Sequence, residues 1–128
     1  MNDFFYKKLD AYKIAKEFTT YVYQLLHGFP PFETYALCDQ IRRAAISIPS
    51  NIVEGMGRMG LRERVHFLGI SYASLAEMLC QLDIAQSIGY ISEEELSQAE
   101  EIAGRLSRVM PGLRRALIEK YPNKNNYE

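Results

Sequence analysis

No run of apolar residues in this sequence approaches the ~20 needed for a bilayer-spanning helix. The start, MNDFFYKKLDAYK, has neither the apolar core nor the small-residue cleavage site of a secretory signal. A cytoplasmic location is therefore expected. Cysteine is scarce: Cys38 and Cys80 stand alone, without CxxC spacing. That argues against a disulfide framework or a zinc site and leaves two small buried hydrophobes as the expectation. Excess charge of either sign is lacking too, since 15 Lys and Arg against 16 Asp and Glu leave a net charge of −1. No global field would draw the chain to a nucleic acid, so any such binding needs a local patch. Strand signals are also missing. There is no Asn-Gly or Asp-Gly hairpin and no sustained alternation of apolar and polar residues.

What remains is helical. The 128 residues, 48% apolar and 24% charged, fit one globular domain spanning 1–128. Ala11, Ala15, Phe18, Val22, Leu25 and Phe29 step by four and three along a first helix, roughly 7–27, which GFPPF ends. A second helix, roughly 31–58, can open on Pro31, because a first-turn residue needs no N–H. A third, 61–88, carries Leu61, Val65, Leu68, Tyr72, Leu75, Leu79 and Leu82 as one long seam and stops at Gly89. Ser92 and Glu95 form a capping box for a fourth, 92–121, with Leu96, Ala99, Ala103, Leu106, Met110, Leu113 and Leu117 inward. Long helices and short connections predict an all-α, antiparallel, up-down-up-down four-helix bundle. The polar tail from Pro122 is expected to fray.

The second helix is the informative one. Pro49 lies inside it, lacks the N–H that would bond back to Ala45, and should kink it at a cost of ~3 kcal/mol unless something offsets the loss. At about 100° per residue the stretch from Gln40 to Gly55 separates into three stripes. Ile41, Ala44, Ala45, Ile48 and Ile52 face the bundle core. Arg43, Ser47, Ser50 and Glu54, with Gln40 and Asn51 beside them, are polar, and Ser47 and Ser50 lie where hydroxyls would satisfy backbone groups loosened at Pro49. Arg43 and Glu54 are too far apart to pair with each other, so each should meet a partner on a neighbouring helix, with Glu33, Glu77 or Asp83 the candidates for the arginine. The third stripe, Arg42, Ile46, Pro49 and Val53, is apolar except for its arginine. A helix with two apolar sides suggests a subunit interface as well as a core, although isolated exposed apolar residues are common.

The run FPPFETYALCDQIRRAAISIPSNIVEGMGR, followed by FLGISYASLAEMLCQLDIAQSIGYI, resembles the four-helix-bundle family of 23S ribosomal RNA intervening-sequence proteins. The likeness extends from about Tyr12 to about Tyr121. Its most specific part is Gln40, Arg42, Arg43, Ala44, Ser47, Ile48, Pro49, Asn51, Ile52, Glu54 and Gly55, supported by Phe29, Pro30, Glu33, Tyr35 and Leu37. Gly60 stands where the family usually has serine, and Ala73 where glycine is common. The resemblance implies bacterial proteins encoded within ribosomal RNA gene insertions or by free-standing genes, and related to the accessory protein of diversity-generating retroelements. It further implies binding to RNA or an RNA-associated partner, no enzymatic activity, and a ring-shaped homo-oligomer with a pentamer the favoured form.

Charge placement fits such a role without requiring it. Five acids, Glu93, Glu94, Glu95, Glu100 and Glu101, open the fourth helix, whereas Arg105, Arg108, Arg114, Arg115 and Lys120 follow. The helix macrodipole favours that order by itself. In an antiparallel bundle the third helix begins where the fourth ends, so Arg58, Arg62 and Arg64 would join Arg108, Arg114, Arg115 and Lys120 in a basic rim suited to structured RNA. The tyrosines fall mostly on or beside helical seams, so stacking platforms for bases are less evident. Enzymatic constellations are incomplete. Glu63 and His66 have di-iron spacing, but His27 is preceded at that spacing by Gln24 and no second pair exists. The cysteines lack an activating context, and Ser47 and Ser50 have no histidine base in their own segment. No catalytic residue, metal, cofactor or small-molecule substrate is predicted. The alternative to an RNA-binding module is a protein-protein adaptor of the same shape without nucleic-acid affinity.

Overall fold

A computed structural model describes residues 5–120. Tyr121 and the tail from Pro122 lie outside the described residues. Among those described there are four α-helices and no strand: α1 (Asp10–Leu26), α2 (Leu37–Gly57), α3 (Leu61–Ile88) and α4 (Glu93–Glu119). Short 3-10 turns precede the first two, at Phe5–Lys8 and Pro31–Glu33. α1 packs on α2 and α4, α3 packs on α2 and α4, and the α2–α3 contact is the most extensive. This is the four-helix bundle expected from the periodicity.

Helix ends follow local chemistry. At the start of α4, Glu95 N–H donates to Ser92 Oγ (3.0 Å) and Ser92 N–H to Glu95 Oε1 (2.8 Å), the complete capping box. Gly89 closes α3 at φ 101°, a left-handed conformation that glycine adopts without a Cβ penalty, and the N–H groups of Gly89 and Tyr90 then reach the Ala85 carbonyl. The second helix starts later than expected. Pro31 does open a turn, but only a 3-10 turn, and Ala36 leaves helical geometry at φ −118°, ψ −101°. α2 therefore begins at Leu37, whose N–H lies 3.4 Å from the Glu33 carboxylate. The first helix likewise begins at Asp10 rather than residue 7, because Phe5–Lys8 forms the tighter turn.

The core takes the inward residues of α1 and α2 as expected: Phe18, Val22, Ile41, Ala45, Ile48 and Ile52 are fully buried. On α3 the seam shifts. Ser71 and Met78 are fully buried, while Tyr72 is 48% exposed and Leu79 only partly covered. The reason is at Ser71, whose Oγ donates to the Ile48 carbonyl of α2 (2.7 Å). A small polar residue is needed where two helix backbones come this close. The approach continues along the pair: Ser47 and Ser74 share a hydrogen bond (2.8 Å), and a Cβ placed on Gly55 would lie 3.0 Å from the Arg64 carbonyl oxygen and 3.3 Å from Phe67 Cβ. Contacts move back along α3 as they move forward along α2.

The proline is accommodated by α1. α2 runs unbroken through Pro49, and the Ala45 carbonyl, which a proline at that position cannot reach with an N–H, accepts a hydrogen bond from Thr19 Oγ1 at 3.0 Å. Ser47 and Ser50 do not serve this carbonyl. Ser47 is engaged by Ser74 and by Asn51, whose side-chain amide donates to both its hydroxyl (2.9 Å) and its carbonyl (2.8 Å), while Ser50 is exposed.

Candidate nucleic-acid interface

The basic residues divide into two sets by exposure. Arg58 and Arg64 bind the α2–α3 junction together. Arg58 pairs with Glu54 one turn back (3.0 Å) and lies over the Phe67 ring, 4.7 Å from its centre, and its carbonyl accepts from Arg64 Nε. Both are half-buried. Arg62, Arg108, Arg114, Arg115 and Lys120 are exposed. Arg62 in the first turns of α3 and Arg114 near the end of α4 line one open groove of roughly 930 Å³. That juxtaposition brings together the third and fourth helices' basic segments. Arg108 lies along α4 itself, with its Nη1 3.4 Å from where a Cβ on Gly104 would stand. Arg105, on the same helix, is taken up by an ion pair to Glu17 of α1.

The groove has a character that the sequence pattern did not disclose. Its walls are largely apolar, lined by buried Val65, Leu68 and Met110 and by exposed His66 and Tyr72. Tyr72 was expected in the seam. Ser71 and Met78 take buried positions instead, which turns the buried face of α3 away from Tyr72 and leaves Tyr72 at the groove. Gly69, Ala73 and Pro111 are the compact residues that keep it open.

The polar and third stripes of α2 also resolve. Arg43 does not reach Glu33, Glu77 or Asp83; it pairs with Asp39 one turn earlier (3.0 Å), as Glu54 pairs with Arg58. Both are i,i+4 pairs, which need no tertiary contact to form. Arg42 donates to the Thr34 carbonyl (2.8 Å) and lies 3.6 Å from Asp39, so it fastens the turn before α2. Ile46 is 46% exposed, whereas Pro49 and Val53 are half-buried and share a shallow groove with Tyr6 and Tyr12 of the chain's own N-terminal region.

The opposite end of the bundle is aromatic. Phe32 and Tyr35 are 75% and 91% exposed in the connection between α1 and α2. Beneath them Tyr90 donates to Glu33 (2.8 Å), a bond that holds the phenol proton and, with burial, raises the Tyr90 pKa. The two cysteines differ. Cys38 is buried, and burial pushes its thiol pKa up, away from thiolate character, while Cys80 is exposed rather than buried as expected. Among the described residues no three His, Cys, Asp or Glu side chains gather as a metal site would require, and no helix is long and apolar enough to cross a membrane.

A family model described as 23S rRNA-intervening sequence protein matches residues 7–112, from the turn before α1 to just past Pro111. Comparison with curated proteins returns no match.

Proposed function

Since the chain belongs to the 23S rRNA-intervening sequence protein family, we propose that it is a non-enzymatic, cytoplasmic module that binds RNA or joins a ribonucleoprotein. We further propose that it works as a ring-shaped homo-oligomer, with a pentamer the favoured form. The observation that supports RNA binding most is the meeting of Arg62 and Arg114 at one groove, with Arg115 and Lys120 exposed on the same closing turns of α4. A chain of net charge −1 has no general attraction for phosphate, so the placement of its arginines must supply it. Guanidinium groups contact phosphate through a planar fork, each contact releases condensed counterions, and repetition around a ring multiplies a weak patch.

The test is salt-dependent binding of structured RNA by the intact protein. Replacing Arg114 and Arg115 by alanine should weaken binding at every sequence and reduce the slope of log affinity against log salt by about two, roughly one per lost phosphate contact. Absence of any RNA binding at low salt would remove this reading. Assembly is supported by Ile46, a half-exposed branched apolar residue on the side of α2 away from the core. Ile46→Asp should therefore lower the native mass while leaving the far-ultraviolet helical spectrum intact, and an unchanged mass would place the subunit contact elsewhere. A protein-protein adaptor is the second reading, favoured by exposed Phe32 and Tyr35 in the connection between α1 and α2, at the end away from the α3–α4 groove.

A further inference from the structure

We propose that the α3–α4 groove receives unpaired bases of single-stranded RNA, with Tyr72 offering its ring to a base while Arg62 and Arg114, toward one end of the groove, contact phosphates further along the same strand. The proposal rests on the RNA-binding reading and specifies which part of an RNA the site takes. A surface that only counts phosphates needs exposed cations and nothing else; the apolar floor of this groove gives a phosphate no favourable contact. A base has a flat, weakly hydrated face that gains from such a floor and from an aromatic ring. The roughly 930 Å³ of open groove is far more than a single guanidinium-phosphate contact occupies. Tyr72 lines the groove and is half-exposed there.

Duplex RNA does not satisfy the same features. Its bases are stacked inside an A-form helix whose deep major groove excludes side chains, and it presents phosphates and 2′-hydroxyls to the protein. An apolar trench with cations toward one end therefore fits a strand whose bases are splayed out. Space in the groove is also adjustable: a Cβ on Gly69 would meet nothing within 4 Å, so a larger side chain at this position enters the groove without disturbing the helix contacts behind it.

The experiment compares three fluorescently labelled ligands by anisotropy with the full chain: a single-stranded ribo-oligonucleotide, its blunt duplex, and an abasic strand carrying the same number of phosphates. The single strand should bind tightest. Tyr72→Ala should weaken it about 5- to 150-fold, the range that loss of one base-aromatic stack spans, with the salt slope unchanged, and Tyr72→Phe should retain affinity. Gly69→Leu should weaken the single strand similarly while leaving the thermal transition of the free protein in place. If the abasic strand binds as well as the base-bearing one, or Tyr72→Ala is silent while Arg115→Ala weakens binding, phosphates alone are recognised; the RNA reading then stands and the base groove falls. Failure of all three ligands to bind overturns both. A change in native mass on Gly69→Leu would make the groove a contact between copies of the chain and would also overturn the proposal.

Discussion

Replacing Thr19 by valine tests how α2 tolerates its proline. The two side chains have nearly the same shape, so the change removes one hydroxyl and leaves the packing of α1 in place. In the native protein the Ala45 carbonyl accepts from Thr19 Oγ1 at 3.0 Å, and Ala45 itself is fully buried. Pro49 has no N–H to offer this oxygen, so the valine variant removes the Thr19 donor that stands in for it and strands a buried acceptor. Stranding a buried polar group costs about 1–3 kcal/mol. Thr19 is half-buried rather than enclosed, which brings the expected loss to about 1–2 kcal/mol. With a urea m-value of about 1–3 kcal/mol per molar, the unfolding midpoint should fall by roughly 0.3–2 M. Urea titration followed by circular dichroism, at one fixed protein concentration because assembly would couple to stability, reads this directly. The decisive comparison is the same substitution in a Pro49→Ala background, where residue 49 regains an N–H directed at Ala45. There Thr19→Val should cost markedly less, giving a coupling of about 1 kcal/mol in the double-mutant cycle. Strict additivity of the two changes would refute the idea that the threonine compensates for the proline.

Two further perturbations probe other parts of the bundle. Gly55→Ala places a Cβ 3.0 Å from the Arg64 carbonyl oxygen, so it should destabilise by about 1–3 kcal/mol. Gly57→Ala, with open space around its Cβ, is the control and should be neutral or slightly stabilising by thermal melting. The Tyr90 pKa is raised chiefly by its hydrogen bond to Glu33, and that of Tyr21 chiefly by burial. The folded state thus holds both phenol protons more firmly than the unfolded chain. Their contribution is fully present below the ordinary tyrosine pKa of about 10 and is lost as pH rises through the folded values. Stability measured against pH should therefore fall above about pH 10, and Tyr90→Phe should flatten that decline; an unchanged slope would contradict the assignment.

How much of this could be read from the chain depended on range. The inward faces of α1 and α2 follow from local spacing, because residues such as Phe18, Ile41 and Ile52 need only the helical period to find the core. The capping box at Ser92 and the left-handed stop at Gly89 are equally local. Thr19 was not legible: its role depends on a proline that lies on another helix, and nothing in the segment around it marks the contact. The same holds for Ser71, a polar residue in an apolar seam, buried because α2 approaches at Ile48. Arg43 misled in the other direction. A partner on a neighbouring helix was expected, yet Asp39, four residues away, was sufficient. At the candidate site the arginines were visible as a charge pattern, but Arg58 and Arg64 were not separable from Arg62 and Arg114 until Glu54, Phe67 and the groove were placed. Tyr72 was missed because a regular four-three count places it inward. The signal that would have found it is the small residues Gly69 and Ala73 beside it, spaced so as to leave one side of α3 thinly covered.

The contact between α2 and α3 has a kinetic meaning. Serine hydroxyls join the two backbones, Gly55 lets them touch, and Arg58 and Arg64 close the connection between them. A pair held by short polar side chains has little room to slide, since each bond tolerates only small displacements. Amide protons of this pair should therefore exchange with solvent last, while α1 and α4 open at lower free energy as separate cooperative units. The basic segment of α4 then lies on a part of the molecule able to shift against a fixed two-helix platform, and an RNA held between α3 and α4 would register as slower exchange in α4 rather than in the platform itself.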